Sequence, residues 1–182
     1  ASKYPLYAVA VSLALLAYIA VDGYGYTVKP LSARSGINTV NTAGDWPSYG
    51  NNVGGSRYSP LDQINRDNVS ELEVAWTYRT NAGGSFKATP LQVGELLYVC
   101  TGGNRVIALD ADSGELRWQF DPLIDPEHLE FARYFTTGCR GVSYFEAPAD
   151  YQGECSERIL TATSDARLIA IDALSGARCS RF

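Results

Sequence analysis

The hydrophobic and polar positions divide the chain into three zones. The first is one uninterrupted apolar run, "YPLYAVAVSLALLAYIAV" from Tyr4 to Val21, without a charge. A bilayer-crossing helix needs about 17–25 such residues, so the run predicts a retained single-pass anchor over residues 1–22. A cleaved signal peptide and a buried core helix are the alternatives. The "DGYGY" that follows is a poor A-x-A cleavage site. Tyr4, Tyr7, Tyr24 and Tyr26 lie near the two ends, where amphipathic rings favour the membrane interface. Lys3 precedes the run while Lys29 and Arg34 follow it, so positive charge alone sets no orientation. The second zone, residues 23–43, is rich in Gly, Ser, Thr and Asn with neither helical nor strand periodicity, and reads as an extended tether.

The third zone, residues 44–182, changes to β signals. "LEVAWTYRT" alternates and is rich in aromatic and β-branched residues. Three short apolar runs follow, Pro90–Val93, Leu96–Cys100 and Val106–Leu109, separated by Gly, Asn and Asp. Short strands with tight turns predict antiparallel sheet. The layout repeats: "RVIALDADSG" from Arg105 to Gly114 aligns with "RLIAIDALSG" from Arg167 to Gly176, 62 residues on. Each copy is a strand followed by a turn, with Asp able to accept from nearby backbone N–H groups and Gly supplying positive φ. Trp118 follows the first copy as a large side chain suited to docking on a neighbouring sheet, and Ser180 is its equivalent after the second. Repeated small sheets of this kind build β-propellers.

Composition narrows the function. Hydrophobic residues are 46% and charged ones 19%, which suits a folded domain. A net charge of −5 argues against nucleic acid. The 4 cysteines, Cys100, Cys139, Cys155 and Cys179, form no C-x-x-C, and the single His128 is remote from them in sequence, so no metal site is expected. An even count beyond an anchor reads as disulfides in an oxidising compartment, with four reduced buried thiols as the alternative and the pairing open. "TGCRGVSYFEAP" from Thr137 to Pro148 sets Cys139 beside Arg140 ahead of an alternating stretch.

"DWPSYGNNVGGSRYSPLDQINRDNVSELEVAWTYRT" resembles the N-terminal signature of the pyrroloquinoline quinone (PQQ) dependent dehydrogenases. Trp46, Tyr49, Gly50, Gly55, Arg57, Tyr58, Ser59, Pro60, Leu61, Ile64, Asn68, Val69, Leu72, Ala75 and Trp76 carry the match. "ALDADSGELRW" resembles the tryptophan-docking motif of that family's propellers, and "CRGVSYFE" and "CSERILTATSDARLIAIDALSG" are similar to the membrane-bound glucose dehydrogenase branch. The resemblance implies an all-β, partial β-propeller of about two to three four-stranded blades over residues 44–182. It also implies a periplasmic main domain on a helix whose N-terminus is cytoplasmic, in a bacterial inner membrane.

The resemblance further places Arg140 beside PQQ, where a permanent planar cation can fork onto carboxylate or quinone oxygens. Lys87 stands where the family usually carries a cofactor-binding Glu, and Phe145 where the glucose branch carries a His. The family's catalytic Asp and metal ligands match nothing in this sequence, so no catalytic residue is assigned. The expectation is therefore a non-catalytic, membrane-anchored accessory subunit of an inner-membrane electron-transfer complex, respiratory or photosynthetic. Other subunits and the membrane would be its partners, and it would hold no cofactor alone. The alternative is the N-terminal part of an active glucose-type dehydrogenase, with PQQ and calcium or magnesium, passing electrons to ubiquinone. A Cys155–Cys179 bridge would pin the final hairpin, leaving Cys100 with Cys139.

Overall fold

The computed structural model describes residues 44–52, 54–83, 86–125, 127 and 138–181, all within the unit Thr39–Phe182. The expected anchor, residues 1–22, and tether, residues 23–43, lie outside the described residues. Among the described residues no helix is long and apolar enough to cross a membrane.

Two antiparallel sheets make the domain. The first has four strands in chain order, β1 (Leu91–Val93), β2 (Leu96–Cys100), β3 (Val106–Asp110) and β4 (Leu116–Phe120). The second has three, β5 (Ser143–Glu146), β6 (Glu157–Ala162) and β7 (Leu168–Asp172). The expectation of four-stranded blades therefore holds for the first sheet. In the second, the place of a fourth strand is marked by one bridge, Ile171 to Arg178.

Alternation explains why the first sheet is buried on both faces. Leu96, Tyr98 and Cys100 of β2 and Val106 and Ala108 of β3 face the second sheet, where Ile159, Ile169 and Ile171 complete one core. Val99, Ile107 and Leu109 point the other way, and Trp76, Tyr78 and Leu97 pack over them. The sequence expectation of a strand across "LEVAWTYRT" is corrected here: residues 72–80 pair with no strand among the described residues. The aromatic alternation is used for side-chain packing, with Trp76 and Tyr78 laid on the first sheet.

The repeated turns do what their Asp and Gly predict. Asp110 Oδ1 accepts from the Ser113 amide at 2.9 Å and the Ser113 hydroxyl at 2.9 Å. Asp172 Oδ1 accepts from the same two groups of Ser175, at 2.8 and 2.7 Å. The Gly114 amide donates to Asp110 O and the Gly176 amide to Asp172 O, both at 2.9 Å. Each glycine has positive φ, 73° and 74°.

Each turn also receives a tryptophan. Trp118 Nε1 donates to Ala173 O at 2.9 Å, and a Cβ on Gly176 would lie 2.7 Å from the Trp118 ring. Trp76 Nε1 donates to Ala111 O at 3.2 Å, and a Cβ on Gly114 would lie 2.5 Å from the Trp76 ring. Docking of Trp118 on the neighbouring sheet agrees with the sequence reading. Trp76 doing the same on the first sheet was not anticipated.

At the opposite end a polar tie links the sheets. Asn104 Nδ2 donates to Ala162 O at 3.1 Å, and its Oδ1 accepts from the Ser164 amide at 3.3 Å. Arg167 reaches Pro122 O at 2.8 Å while its Nε donates to Asp165 Oδ2 at 2.8 Å. The Thr163 hydroxyl donates to the other Asp165 oxygen. Both expected disulfides are present, Cys100–Cys139 and Cys155–Cys179, closing separations of 39 and 24 residues. Loops of that size give about 3–4 kcal/mol each in the chain-entropy picture.

Two predictions follow from the packing and the tie. Trp118→Ala removes a buried ring and its hydrogen bond, and lowers the unfolding free energy by about 3–5 kcal/mol. Gly176→Ala, with its positive φ and ring overlap, costs about 2 kcal/mol. Chemical denaturation reads both, and losses near zero would show that docking carries no weight. The second prediction concerns acid. Hydrogen bonds from Arg167 first and Thr163 second hold the Asp165 carboxyl at about 2, below its ordinary 3.8. A depressed carboxylate stabilises fully above its unfolded value and loses that contribution as pH falls through the folded one. Asp165→Asn is thus expected to flatten the stability profile between about pH 4 and pH 2. An acid-unfolding series with an unchanged slope in that window would refute it.

Candidate functional site

The chain enters β1 and β5 side by side. The Thr89 amide donates to Arg140 O at 3.1 Å. Gly102, just past the end of β2, bridges Gly138, and between these two pairings lies the Cys100–Cys139 disulfide. Backbones crowd closely there: a Cβ on Gly102 would sit 2.6 Å from Gly83 O. Stretches distant in sequence thus meet at one end of the sheets.

Two cations stand at that end. Arg140 is exposed one residue beyond Cys139, and Lys87 is exposed two residues before Thr89. The ion pairs among the described residues join Arg105 with Asp121, Arg117 with Asp110 and Arg167 with Asp165. Neither Lys87 nor Arg140 takes part in one. Two cations outside the ion pairs of the described residues suit an anionic quinone bearing carboxylates, because both side chains only donate. The donor set therefore fits the cofactor that the sequence resemblance implies. Cation binding is another matter: among the described residues no group of three or more His, Cys, Asp or Glu could hold a metal ion. His128 lies outside the described residues.

Phe145, on β5, is 45% exposed. The Arg158 guanidinium lies 5.3 Å from its ring centroid and 5.4 Å from that of Tyr151, while Arg158 Nε donates to Cys155 O at 2.9 Å. Phe145 is thus half of a cation–π stack and carries no proton to exchange. Its neighbour Tyr144 points to the core and donates to Glu157 Oε2 at 2.8 Å. Burial first, and the Glu157 contact second, push the Tyr144 hydroxyl well above its ordinary range. Burial does the same to Tyr98, whose hydroxyl donates to Ala173 O at 3.2 Å. Both phenols are fixed hydrogen-bond donors, unsuited to acid–base work near neutral pH.

A surface cleft of ≈ 530 Å³ lies beside β1, lined by Trp46, Tyr49, Arg57, Thr89, Pro90 and Gln92 among others. Trp46 pairs its backbone with Gln92 in both directions, at 2.7 and 3.1 Å. The Arg57 guanidinium lies 4.9 Å from the Tyr49 ring centroid. Neither Lys87 nor Arg140 lines this cleft. The sequence reading singled out Lys87, Arg140 and the four cysteines, and the structure brings Cys139, Arg140 and the Lys87 segment together. It missed Thr89, whose amide makes the connection. No side-chain pattern marks a backbone donor.

The family model described as "PQQ: Glucose/ethanol/alcohol dehydrogenase, beta-propeller domain" matches residues 46–182. The chain is 44% identical over 151 residues to the quinoprotein glucose dehydrogenase of Escherichia coli strain K12, covering 76% of this chain and 18% of that protein. It is 39% identical over 161 residues to the quinate/shikimate dehydrogenase (quinone) of Acinetobacter baylyi, covering 76% and 19%. Among solved structures, the quinohemoprotein alcohol dehydrogenase of Comamonas testosteroni superimposes with a TM-score of 0.62 at 33% identity, over 74% of this chain and 18% of that one. The chain thus spans about a fifth of the length of the relatives it matches. With docked tryptophans, repeated Asp–Gly turns and this match running together, the chain belongs to the β-propeller family of PQQ-dependent glucose, ethanol and alcohol dehydrogenases.

Proposed function

We propose that this chain supplies successive blades, and one cationic edge, of a membrane-bound PQQ-dependent dehydrogenase acting on a sugar or polyol and passing electrons to a membrane quinone. The observation that carries this reading is Arg140: exposed, without an ion pair among the described residues, and tied through its carbonyl to the Thr89 amide. Arg140 and Lys87 would bind carboxylate or quinone oxygens and orient the ring plane, Arg140 by a two-point fork and Lys87 as a point charge. PQQ, when bound, supplies two-electron acceptance. The two disulfides support a periplasmic domain, since such bonds persist in oxidising compartments. The apolar run Tyr4–Val21 supports an inner-membrane anchor, and a periplasmic domain beyond it would put the N-terminus in the cytoplasm.

A specific observation favours a second reading, in which the domain is a non-catalytic accessory subunit of an inner-membrane electron-transfer complex. Lys87 replaces an acid that the family resemblance leads one to expect, and Phe145, where a His is expected, is engaged with Arg158. The dehydrogenase reading has the stronger support, because its named relatives are dehydrogenases and share up to 44% identity with this region.

Membranes expressing the gene with its natural flanking sequence distinguish the two. With PQQ and calcium or magnesium added, dye reduction with glucose or quinate is expected, together with PQQ binding. Arg140→Ala is expected to weaken PQQ binding about tenfold, the loss of one charge-assisted contact. Because Arg140 is exposed and makes no ion pair among the described residues, the same change should shift unfolding free energy by no more than about 0.5 kcal/mol. Absence of both PQQ binding and dye reduction would decide for the accessory reading.

A further inference from the structure

The two disulfides sit in different settings. Cys155 is partly exposed and begins the hairpin that Cys179 closes. Beside it the Ser180 amide donates to Glu154 Oε2 at 3.2 Å. Cys100 and Cys139 are 1% and 7% exposed and belong to the core between the sheets. The residues flanking Cys139 are both held by backbone pairing, Gly138 with Gly102 and Arg140 with Thr89. Arg140 itself makes no side-chain hydrogen bond or ion pair among the described residues, so nothing beyond its backbone fixes where the guanidinium starts. That backbone is anchored on one side by the covalent bond to Cys100 and on the other by the Thr89 amide. Gly102 and Gly141 leave the strands room to approach, with a Cβ on Gly141 falling 3.7 Å from Thr89 O.

We propose that the Cys100–Cys139 disulfide is a positioning element: it holds Arg140 against the Thr89 segment and so sets the affinity of this end of the sheets for an anionic quinone. The proposal rests on the dehydrogenase reading for its ligand and on the strand-entry geometry for its mechanism. A cross-link buried in the core, one residue from an exposed cation outside the ion pairs of the described residues, gives an arginine on a strand entry a fixed base. An anchored guanidinium loses less freedom on binding than an unanchored one. The Cys155–Cys179 bridge closes a shorter segment, and the exposed Arg178 beside Cys179 is bridged through its backbone to Ile171 of β7 and not to the Thr89 segment.

The full chain with its natural flanks provides the test, using PQQ as probe. Cys100→Ala/Cys139→Ala is compared with Cys155→Ala/Cys179→Ala and the unaltered protein. Two quantities are read, the PQQ dissociation constant by tryptophan fluorescence and the hydrogen-exchange protection of the Thr89 amide. The first pair is expected to raise the dissociation constant about tenfold and to remove Thr89 protection while the Ile107 and Ile159 amides stay protected. The second pair is expected to leave both readings unchanged, even if it lowers the melting temperature as much. If the first pair does not fold, Cys100→Val/Cys139→Ala fills the vacated space and takes its place. Retained Thr89 protection in the first pair overturns the positioning role, as does equal weakening of PQQ binding by the second. Failure of the unaltered chain to bind PQQ overturns the dehydrogenase reading and the ligand named here, while Thr89 exchange still judges the positioning.

Discussion

The structure depends on an indole ring seated over a glycine. Trp118 leaves β4 of one sheet, occupies the space that a side chain at position 176 would fill, and donates to the carbonyl of Ala173. Tyr98 donates to that same carbonyl from β2, and its ring lies 5.9 Å from the Trp118 ring. One buried carbonyl therefore uses both lone pairs on aromatic donors that also close the apolar core. A buried polar group satisfied this fully costs little, and it fixes direction as well as distance. Moving either ring strands its donor and leaves the carbonyl with one partner instead of two, which hydrophobic contact alone would not penalise so sharply.

Repetition turns that local arrangement into an architecture. Trp76 meets Ala111 and Gly114 as Trp118 meets Ala173 and Gly176. Each sheet presents an Asp–Gly turn to the tryptophan that precedes it, so the relation between neighbours is set once and used again. The polar tie of Asn104, Arg167 and Asp165 sits at the far end of the same interface. With both ends of the sheet pair secured, the entries to β1 and β5 cannot slide apart. The Thr89–Arg140 pairing and the Cys100–Cys139 bond are a consequence of that alignment as much as a cause of it. Here folding and site share residues, since Cys100 and Cys139 serve the core while the next residue faces solvent.

Much of this was legible in the sequence for identifiable reasons. The repeat from Arg105 and Arg167 encodes strand and turn in side chains whose hydrogen bonding is local, so it predicts itself. The three apolar runs became β1, β2 and β3 because sheet periodicity is also local. The cysteines suggested disulfides but left three pairings open; a Cys155–Cys179 bridge across the last hairpin was one of them, and the structure supplies the pairing. What escaped depended on long-range geometry. The aromatic alternation of residues 72–80 looked like a strand, yet whether a segment forms a ladder depends on a neighbour that its own pattern cannot name. Trp76 docks on a turn 35 residues away, and Thr89 acts through an amide that every residue but proline possesses. Phe145 was read as a lost titratable group; its stacking with Arg158 came only from the register that sets the two opposite each other in β5 and β6.

The charge at the strand-entry end raises a question of magnitude. Two unit charges about 4 Å apart attract by about 1 kcal/mol in bulk water and about 4 kcal/mol at the effective dielectric of a protein surface. Arg140 and Lys87 are exposed, so the two sheets alone leave them in the weaker regime. A Lys where the resemblance implies an acid would add attraction for an anionic ligand without adding shelter from solvent. Strong binding therefore requires a surface that covers this end and excludes water. The relatives are about five times longer than the matched region, and on the proposed reading further blades would supply that cover. On the proposed reading the two cations would select the sign of what binds, whereas enclosure would determine how tightly it is held.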